Sequence, residues 1–232
     1  MSYAKYLNRL PNELPTNPMH WADAWIKKAI VDKVQRNPTA MTLVTIDANT
    51  NPSARIVLCK KFVPNPGYLV FYTNYKSRKI KNLERCAQVA AVFHWDALGR
   101  QIRIEGLALF SPVEESDAYF KTRNWGSQLG AWGSDQSEVL ESRQALITQL
   151  KERAVRLNLS VSDDLKTLLG TEQPIIERPP HWGGIRIWVS AIELWIEGED
   201  RIHDRGSWKR KLLRSSKYTF NTTPWAGTRL QP

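Results

Sequence analysis

Apolar residues along this chain follow two rhythms. After the turn-forming Asn17-Pro18, Trp21, Trp25, Ala29 and Ile30 recur at helical intervals, which predicts an amphipathic helix over residues 19 to 35, ending before Asn37-Pro38. The rhythm then shifts to short runs rich in β-branched and aromatic residues. These are MTLVTI (41–46), SARIVLC (53–59), YLVFYT (68–73), QVAAVFHW (88–95) and QIRIEGLALF (101–110), separated by turn sequences such as DANTNP and PNPG. Five strands at this spacing predict a meander or barrel, with SRKIKNLER (77–85) as a short helix between the third and fourth. A helix is expected over 113–122. A longer one is expected over 137–157, with Ser137 as N-cap and Val139, Leu140, Leu146, Leu150 and Val155 as its inward stripe. IRIWVS and AIELWI, after Gly183-Gly184, predict two more strands. The expected architecture is one mainly β domain over residues 1–232, a closed or partly closed antiparallel β-barrel with flanking α-helices. Residues 1–36 form its N-terminal segment and helix, and 205–232 its C-terminal strand region.

With 42% hydrophobic residues in 232, the chain can bury a sizeable core. Its two cysteines, Cys59 and Cys86, sit in apolar-rich segments, and MSYAKYLNRLPNELP lacks the continuous apolar run of a secretory signal. A cytoplasmic protein with reduced thiols is expected. The net charge of +10 and a pI of about 9.7 call for an anionic partner: nucleic acid, a membrane surface or a phosphorylated small molecule. Most basic residues are scattered among strand-like segments, as phosphate pockets require, rather than drawn into a stripe. The exception is RGSWKRKLLRSSK (205–217), which contains no acid.

Three segments carry candidate chemistry. Arg55 and Lys60 bracket the apolar run of ARIVLCKK; five positions apart, they face opposite sides unless a bulge or the strand end intervenes. Alone, they read as solvated strand ends. Ser77, Arg78 and Lys79 begin a short helix, where free N–H groups and the helix dipole favour an anion. YFKTRNWGSQLGAWGSDQS strings Tyr119, Arg123, Ser127, Gln136 and Ser137 through a Gly-rich loop. Hydroxyls, an amide and a guanidinium together can saturate phosphate oxygens, although capping serines in a structural loop look similar. No His/Cys spacing reads as a metal site. RPPHWGGIRIWVSAIELWIEGEDRIHDR places tryptophans and fixed positive charge side by side, more than a plain core strand requires.

The order RIVLCK, FYTNYKSRK, RQIRIEG, SQLGAWGSDQS, PPHWGG, IELW, RIHDR and RLQP resembles the pyridoxine/pyridoxamine 5'-phosphate oxidase family, over about residues 17 to 232. The resemblance implies an FMN-binding split barrel of antiparallel Greek-key type, forming a homodimer with FMN at the subunit interface. It also implies oxidation of pyridoxamine or pyridoxine 5'-phosphate to pyridoxal 5'-phosphate, with O2 as acceptor and hydrogen peroxide as by-product. Carried over to this sequence, Arg55, Arg78, Lys79 and Ser137 hold the FMN phosphate, with Lys60 nearby. Tyr72, Thr73, Gln101 and Gln136 contact the ribityl chain or ring edge, and Trp195 and Arg205 complete the flavin site from the other subunit. The substrate phosphate falls to Lys60, Tyr119, Arg123 and Ser127. Arg201 and His203 are the catalytic pair, covering the pyridine ring.

The sequence departs from the family pattern in three places. The N-terminal lid candidates are only Tyr3, Tyr6 and Arg9; KFVPNPGY lacks the acid usual after the substrate lysine; and RIHDR runs into a basic insertion, read as a solvated hairpin. The alternatives are a related FMN oxidase of phenazine type, a non-catalytic flavin or pyridoxal phosphate carrier, and a nucleic-acid binder using the 205–217 tail. Retention of Lys60, Tyr119, Arg123, Ser127, Arg201 and His203 together favours the vitamin B6 substrate, with no nucleic acid or membrane partner.

Overall fold

Strict alternation builds the first strands. In β1 (Ala40–Ile46) Met41, Leu43 and Thr45 are buried and the residues between them half-buried. The same period buries Val89, Ala91, Phe93 and Trp95 of β5 (Gln88–Trp95), and Ile102 and Ile104 of β6 (Arg100–Phe110). β2 (Pro52–Leu58) pairs with β1 at the end of the strand order, where Ile56 remains exposed. β7 runs without a break from Trp182 to Ile196, where two strands were expected. Most of its side chains are buried on both faces, so the small Ser190-Ala191 step does not interrupt it.

The computed structural model describes residues 9–163, 165 and 175–232. Its main sheet also contains β3 (Lys61–Val63), β4 (Tyr68–Asn74), β8 (Asp204–Lys209) and β11 (Ala226–Leu230). The strand order is β11-β8-β7-β6-β5-β1-β2, with β4 paired to both β3 and β7. The ladders β1–β2, β1–β5, β5–β6, β3–β4, β7–β8 and β8–β11 are all antiparallel.

The chain divides into two compact units. The first holds the described residues up to Phe71, with Asn82–Leu109 and Ile185–Pro232; the second holds Tyr72–Lys81 and the described part of Phe110–Gly184. In the first unit, α1 (Met19–Val31) buries Met19, Trp21, Trp25 and Ala29. It ends earlier than expected, and Ile30 lies outside its buried stripe at 45% exposure. Trp95 Nε1 donates to the Pro38 carbonyl and Trp208 Nε1 to that of Pro15, each at 2.8 Å, so two of the bulkiest core residues keep their polar edge satisfied. Burial pushes the Cys59 thiol up to about 12, which makes it an inert core residue.

The second unit departs furthest from expectation. α3 (Val113–Lys121) forms where expected, but the Gly-rich segment after it is a helix, α4 (Trp125–Gly133), whose first turn is capped by the Asn124 side chain accepting from Ser127 N. The long helix starts six residues late, as α5 (Arg143–Arg156), with Ser142 as its N-cap. Ser137 is therefore no cap; it sits in the left-handed region at φ 77°. Val139, Leu140 and Val155 are exposed, Val139 fully, so of the expected apolar stripe only Leu146 and Leu150 remain, both half-buried, with Leu150 against Gly133. The core of this unit is Phe120, Leu129, Ala131, Ala154, Leu159, Ile176 and Trp182.

The basic insertion forms a separate two-stranded hairpin, β9 (Leu212–Arg214) with β10 (Phe220–Thr222). Lys209, Lys211, Arg214 and Lys217 are solvent-exposed along it, as expected of a solvated hairpin. Arg210 fixes its base. The guanidinium donates to the carbonyls of Val189, Pro66 and Gly67 at 2.8, 2.7 and 2.8 Å and lies 4.2 Å from the Trp225 ring centroid. Burial pushes its pKa down to about 10, which still leaves it charged at neutral pH. Arg210→Ala is expected to destabilise the fold by about 2–4 kcal/mol in urea denaturation, because three carbonyls lose a charged donor. Lysine should not restore the loss, since one ammonium cannot reproduce the planar fork. Unchanged stability in both variants would show the contact to be decorative.

Candidate active site

In the second unit, β4 and the start of α2 (Arg78–Arg85) assemble a cluster around Lys79. Its Nζ donates to Thr73 Oγ1 at 2.8 Å, Ser77 Oγ at 2.9 Å and Gln136 Oε1 at 3.0 Å, and Thr73 donates to the same Gln136 oxygen at 3.1 Å. Lys79, Thr73 and Ser77 are buried, whereas Gln136, Ser137 and Arg78 face solvent. Ser77 caps α2 through its carbonyl, which accepts from the N–H groups of Ile80 and Lys81. A buried ammonium beside a helix start, with an exposed guanidinium next to it, is a setting for an oxyanion.

A second cluster is aromatic. Tyr72, Tyr119 and Trp182 stack nearly parallel, with centroids 3.9 Å apart for the tyrosines and 5.5 Å for Tyr72 and Trp182. Arg123 lays its guanidinium over Trp182 at 4.5 Å and over Phe120 at 5.6 Å. Its Nη1 is buried without a hydrogen-bond partner. Desolvation lowers its pKa, and Tyr119 partly offsets this. A charged N–H left unfilled in a half-buried site is costly unless something else supplies the acceptor. Ser127 stands half-buried in the first turn of α4. Gly183 and Gly184 make room in this unit: a Cβ on Gly183 would lie 2.1 Å from Tyr75 Oη, and one on Gly184 2.6 Å from Ser111 Oγ. The glycine pair thus lets the backbone pass close to side chains of the fold.

In the first unit, Arg55 donates to the Leu43 carbonyl at 3.2 Å, Thr45 Oγ1 at 2.8 Å and Ser53 Oγ at 3.0 Å. Lys60 is exposed beyond the end of β2, so the strand end intervenes between it and Arg55. Gln101 is half-buried on β6, opposite His94. RIHDR begins in a strained loop, in which Asp200 and Arg201 are both left-handed, at φ 51° and 66°, a conformation costing about 1–3 kcal/mol per residue, and ends in β8. His203 rests against Trp195 at 4.6 Å, and its Nδ1 accepts from the Gly198 N–H at 3.2 Å. A Cβ at Gly198 would lie 1.8 Å from the Ile202 carbonyl, so this tight return requires glycine. Arg201 is exposed, and Arg205, half-buried on β8, pairs with Glu193. Tyr3 and Tyr6 lie outside the described residues.

Residues 26–155 match the family model described as "Pyridoxamine 5'-phosphate oxidase", and residues 182–232 the one described as "Pyridoxine 5'-phosphate oxidase C-terminal dimerisation region". The chain belongs to the pyridoxamine 5'-phosphate oxidase family. It is an oxidoreductase of that family. A pyridoxine/pyridoxamine 5'-phosphate oxidase of Paraburkholderia phymatum is 44% identical over 222 residues, covering 95% of this chain and 92% of the relative. One of Roseobacter denitrificans is 38% identical over 216 residues, covering 93% and 94%. Among solved structures, PhzG from Burkholderia lata 383 in complex with tetrahydrophenazine-1-carboxylic acid is similar with a TM-score of 0.77 at 24% identity, covering 100% of this chain and 98% of that one. A pyridoxamine 5'-phosphate oxidase-related, FMN binding protein from Nostoc punctiforme gives 0.64 at 13% identity, covering 91% and 97%. These two show the fold, an antiparallel half-barrel with flanking helices. No helix among the described residues is long and apolar enough to cross a membrane.

Within the pyridoxamine 5'-phosphate oxidase fold, sequence reasoning overlooked Trp182 as the platform for Arg123 and Glu193 as the partner of Arg205. The signal for Glu193 was a carboxylate inside the otherwise apolar AIELWI. Because Arg123 Nη1 has no partner to lose, Arg123→Met is expected to abolish binding of a phosphomonoester while leaving unfolding stability unchanged or slightly raised. A stability loss above about 2 kcal/mol would identify the guanidinium as structural instead.

Proposed function

We propose that this protein oxidises pyridoxamine 5'-phosphate or pyridoxine 5'-phosphate to pyridoxal 5'-phosphate, using bound FMN and O2 and releasing hydrogen peroxide, and that it acts as a homodimer. The observation that carries this reading is Arg123, its guanidinium over an indole and near Tyr119, with one buried N–H unfilled. That arrangement suits the phosphate that both substrates share. Relatives named for these substrates are 38–44% identical, whereas PhzG is 24% identical, so the vitamin B6 reading is preferred to the phenazine one. The match of residues 182–232 to a dimerisation region supports the homodimer.

When bound, FMN supplies the hydride acceptor for the substrate C4' and the route of its electrons to O2. With the amine substrate one water is consumed and ammonia leaves; with the alcohol neither occurs. In the second unit, Arg78, Lys79 and Ser137 are assigned to the flavin phosphate, Tyr72, Thr73 and Gln136 to the ribityl chain or ring edge, and Tyr119, Arg123 and Ser127 to the substrate phosphate. In the first, Arg55 is assigned to the flavin phosphate and Lys60 to both phosphates. Gln101, Trp195 and Arg205 are assigned to the flavin, and Arg201 and His203 to the pyridine ring. His203 Nδ1 already accepts from Gly198, so the proton of the neutral imidazole sits on Nε2, which is the edge offered to a substrate oxygen.

The FMN-loaded protein should convert pyridoxamine 5'-phosphate in air to the aldehyde with an equal amount of hydrogen peroxide, and should scarcely act on the phosphate-free amine. His203→Ala and Arg201→Ala should lower turnover far more than flavin content. Variants that lose flavin but keep full activity per bound flavin would refute the roles given to this pair.

A further inference from the structure

Glu193 is an unusual residue for its position. It lies on β7, between β6 and β8, and is 8% exposed. A buried carboxylate is unfavourable unless cations and hydrogen bonds replace its water, and here two neighbouring strands supply them. Arg205 on β8 presents both Nε and Nη2 to Glu193 Oε1 at 2.9 Å, while Arg103 on β6 donates Nη1 to Oε2 at 2.9 Å. Arg205 Nη1 is directed to the Gln231 carbonyl at 2.9 Å. The side edge of the Arg205 fork is therefore committed to Glu193, which fixes the plane of the guanidinium. The remaining N–H groups are at its Nη1/Nη2 end.

We propose that Glu193 is a positioning residue for the flavin: it aims the end of the Arg205 fork at the bound ring and reduces the charge of the row from two cations to a net of one. The inference rests on the reading that Arg205 contacts the flavin. The physical consequence is a set redox poise. Positive charge near the ring stabilises its anionic reduced form, and a fixed carboxylate in the same row opposes that stabilisation. Removing the Glu193 charge should favour the reduced form, whereas removing Arg103 should disfavour it.

The test uses FMN-loaded protein, its FMN dissociation constant, and its midpoint potential from equilibrium reduction against a reference dye. Glu193→Gln keeps an oxygen for Arg205 but loses the charge; it should bind FMN within about threefold of the parent and shift the midpoint potential to a more positive value. Glu193→Ala leaves Arg205 unaimed and should weaken FMN binding by about tenfold or more. Arg103→Ala, at a half-exposed position that tolerates change, should shift the potential in the negative direction, and keeps the idea testable if the Glu193 variants fold poorly. Failure of the parent to bind FMN, or equal FMN affinity in Arg205→Ala, would sink the flavin reading of Arg205 and this inference with it. If Arg205→Ala weakens FMN binding but neither Glu193→Gln nor Arg103→Ala moves the potential, the positioning role alone is wrong.

Discussion

A cation taken out of water must be given oxygen acceptors by the fold or by a ligand, and this constraint organises the molecule. Arg210 is satisfied by three backbone carbonyls, so its job ends with anchoring the hairpin. Lys79 is held among three side-chain oxygens, and Arg205 is split between a carboxylate and a carbonyl. Arg123 is different, because an aromatic face supports its guanidinium while a buried N–H has no acceptor. Arg100 also has an unfilled Nη1, with its guanidinium over the Trp25 ring. What the acceptors are made of separates these cations: Arg210 is held by backbone carbonyls alone, Lys79 by side-chain oxygens, and Arg123 by an aromatic face.

The strands make those placements possible. Residues two apart on β6 or β8 share a face, and neighbouring strands bring Arg103, Glu193 and Arg205 into one row although they are far apart in sequence. The cost is carried by local features: two left-handed residues at Asp200 and Arg201, and a glycine at 198 where a side chain has no room. A loop held this way fixes the backbone at Arg201 and sets the His203 ring against Trp195, with its Nδ1 on the Gly198 N–H.

Much of the sheet was legible because alternation is a local signal: Met41, Leu43, Phe93 and Ile102 were inward by their period alone. The helices after residue 122 were not. Glycines at 126, 130 and 133 disguise α4 as a loop, and only the Asn124 cap marks its start. Apolar residues at 139, 140 and 155 suggested a stripe that the fold leaves in solvent, because α5 begins at Arg143 and buries Ala154 instead. For the site, individual motif residues could be named from the resemblance, but Trp182 under Arg123 and Glu193 behind Arg205 are tertiary pairings. They have no short-range signature beyond a carboxylate in an apolar run.

The central claim is that the substrate gives its hydride to a flavin held by this chain. Its most direct test is the visible spectrum of the FMN-loaded protein without oxygen, recorded before and after pyridoxamine 5'-phosphate is added. The account predicts that the flavin band bleaches and returns on admission of air. A band that stays unchanged with flavin still bound would contradict it, leaving the fold in place and the substrate assignment wrong.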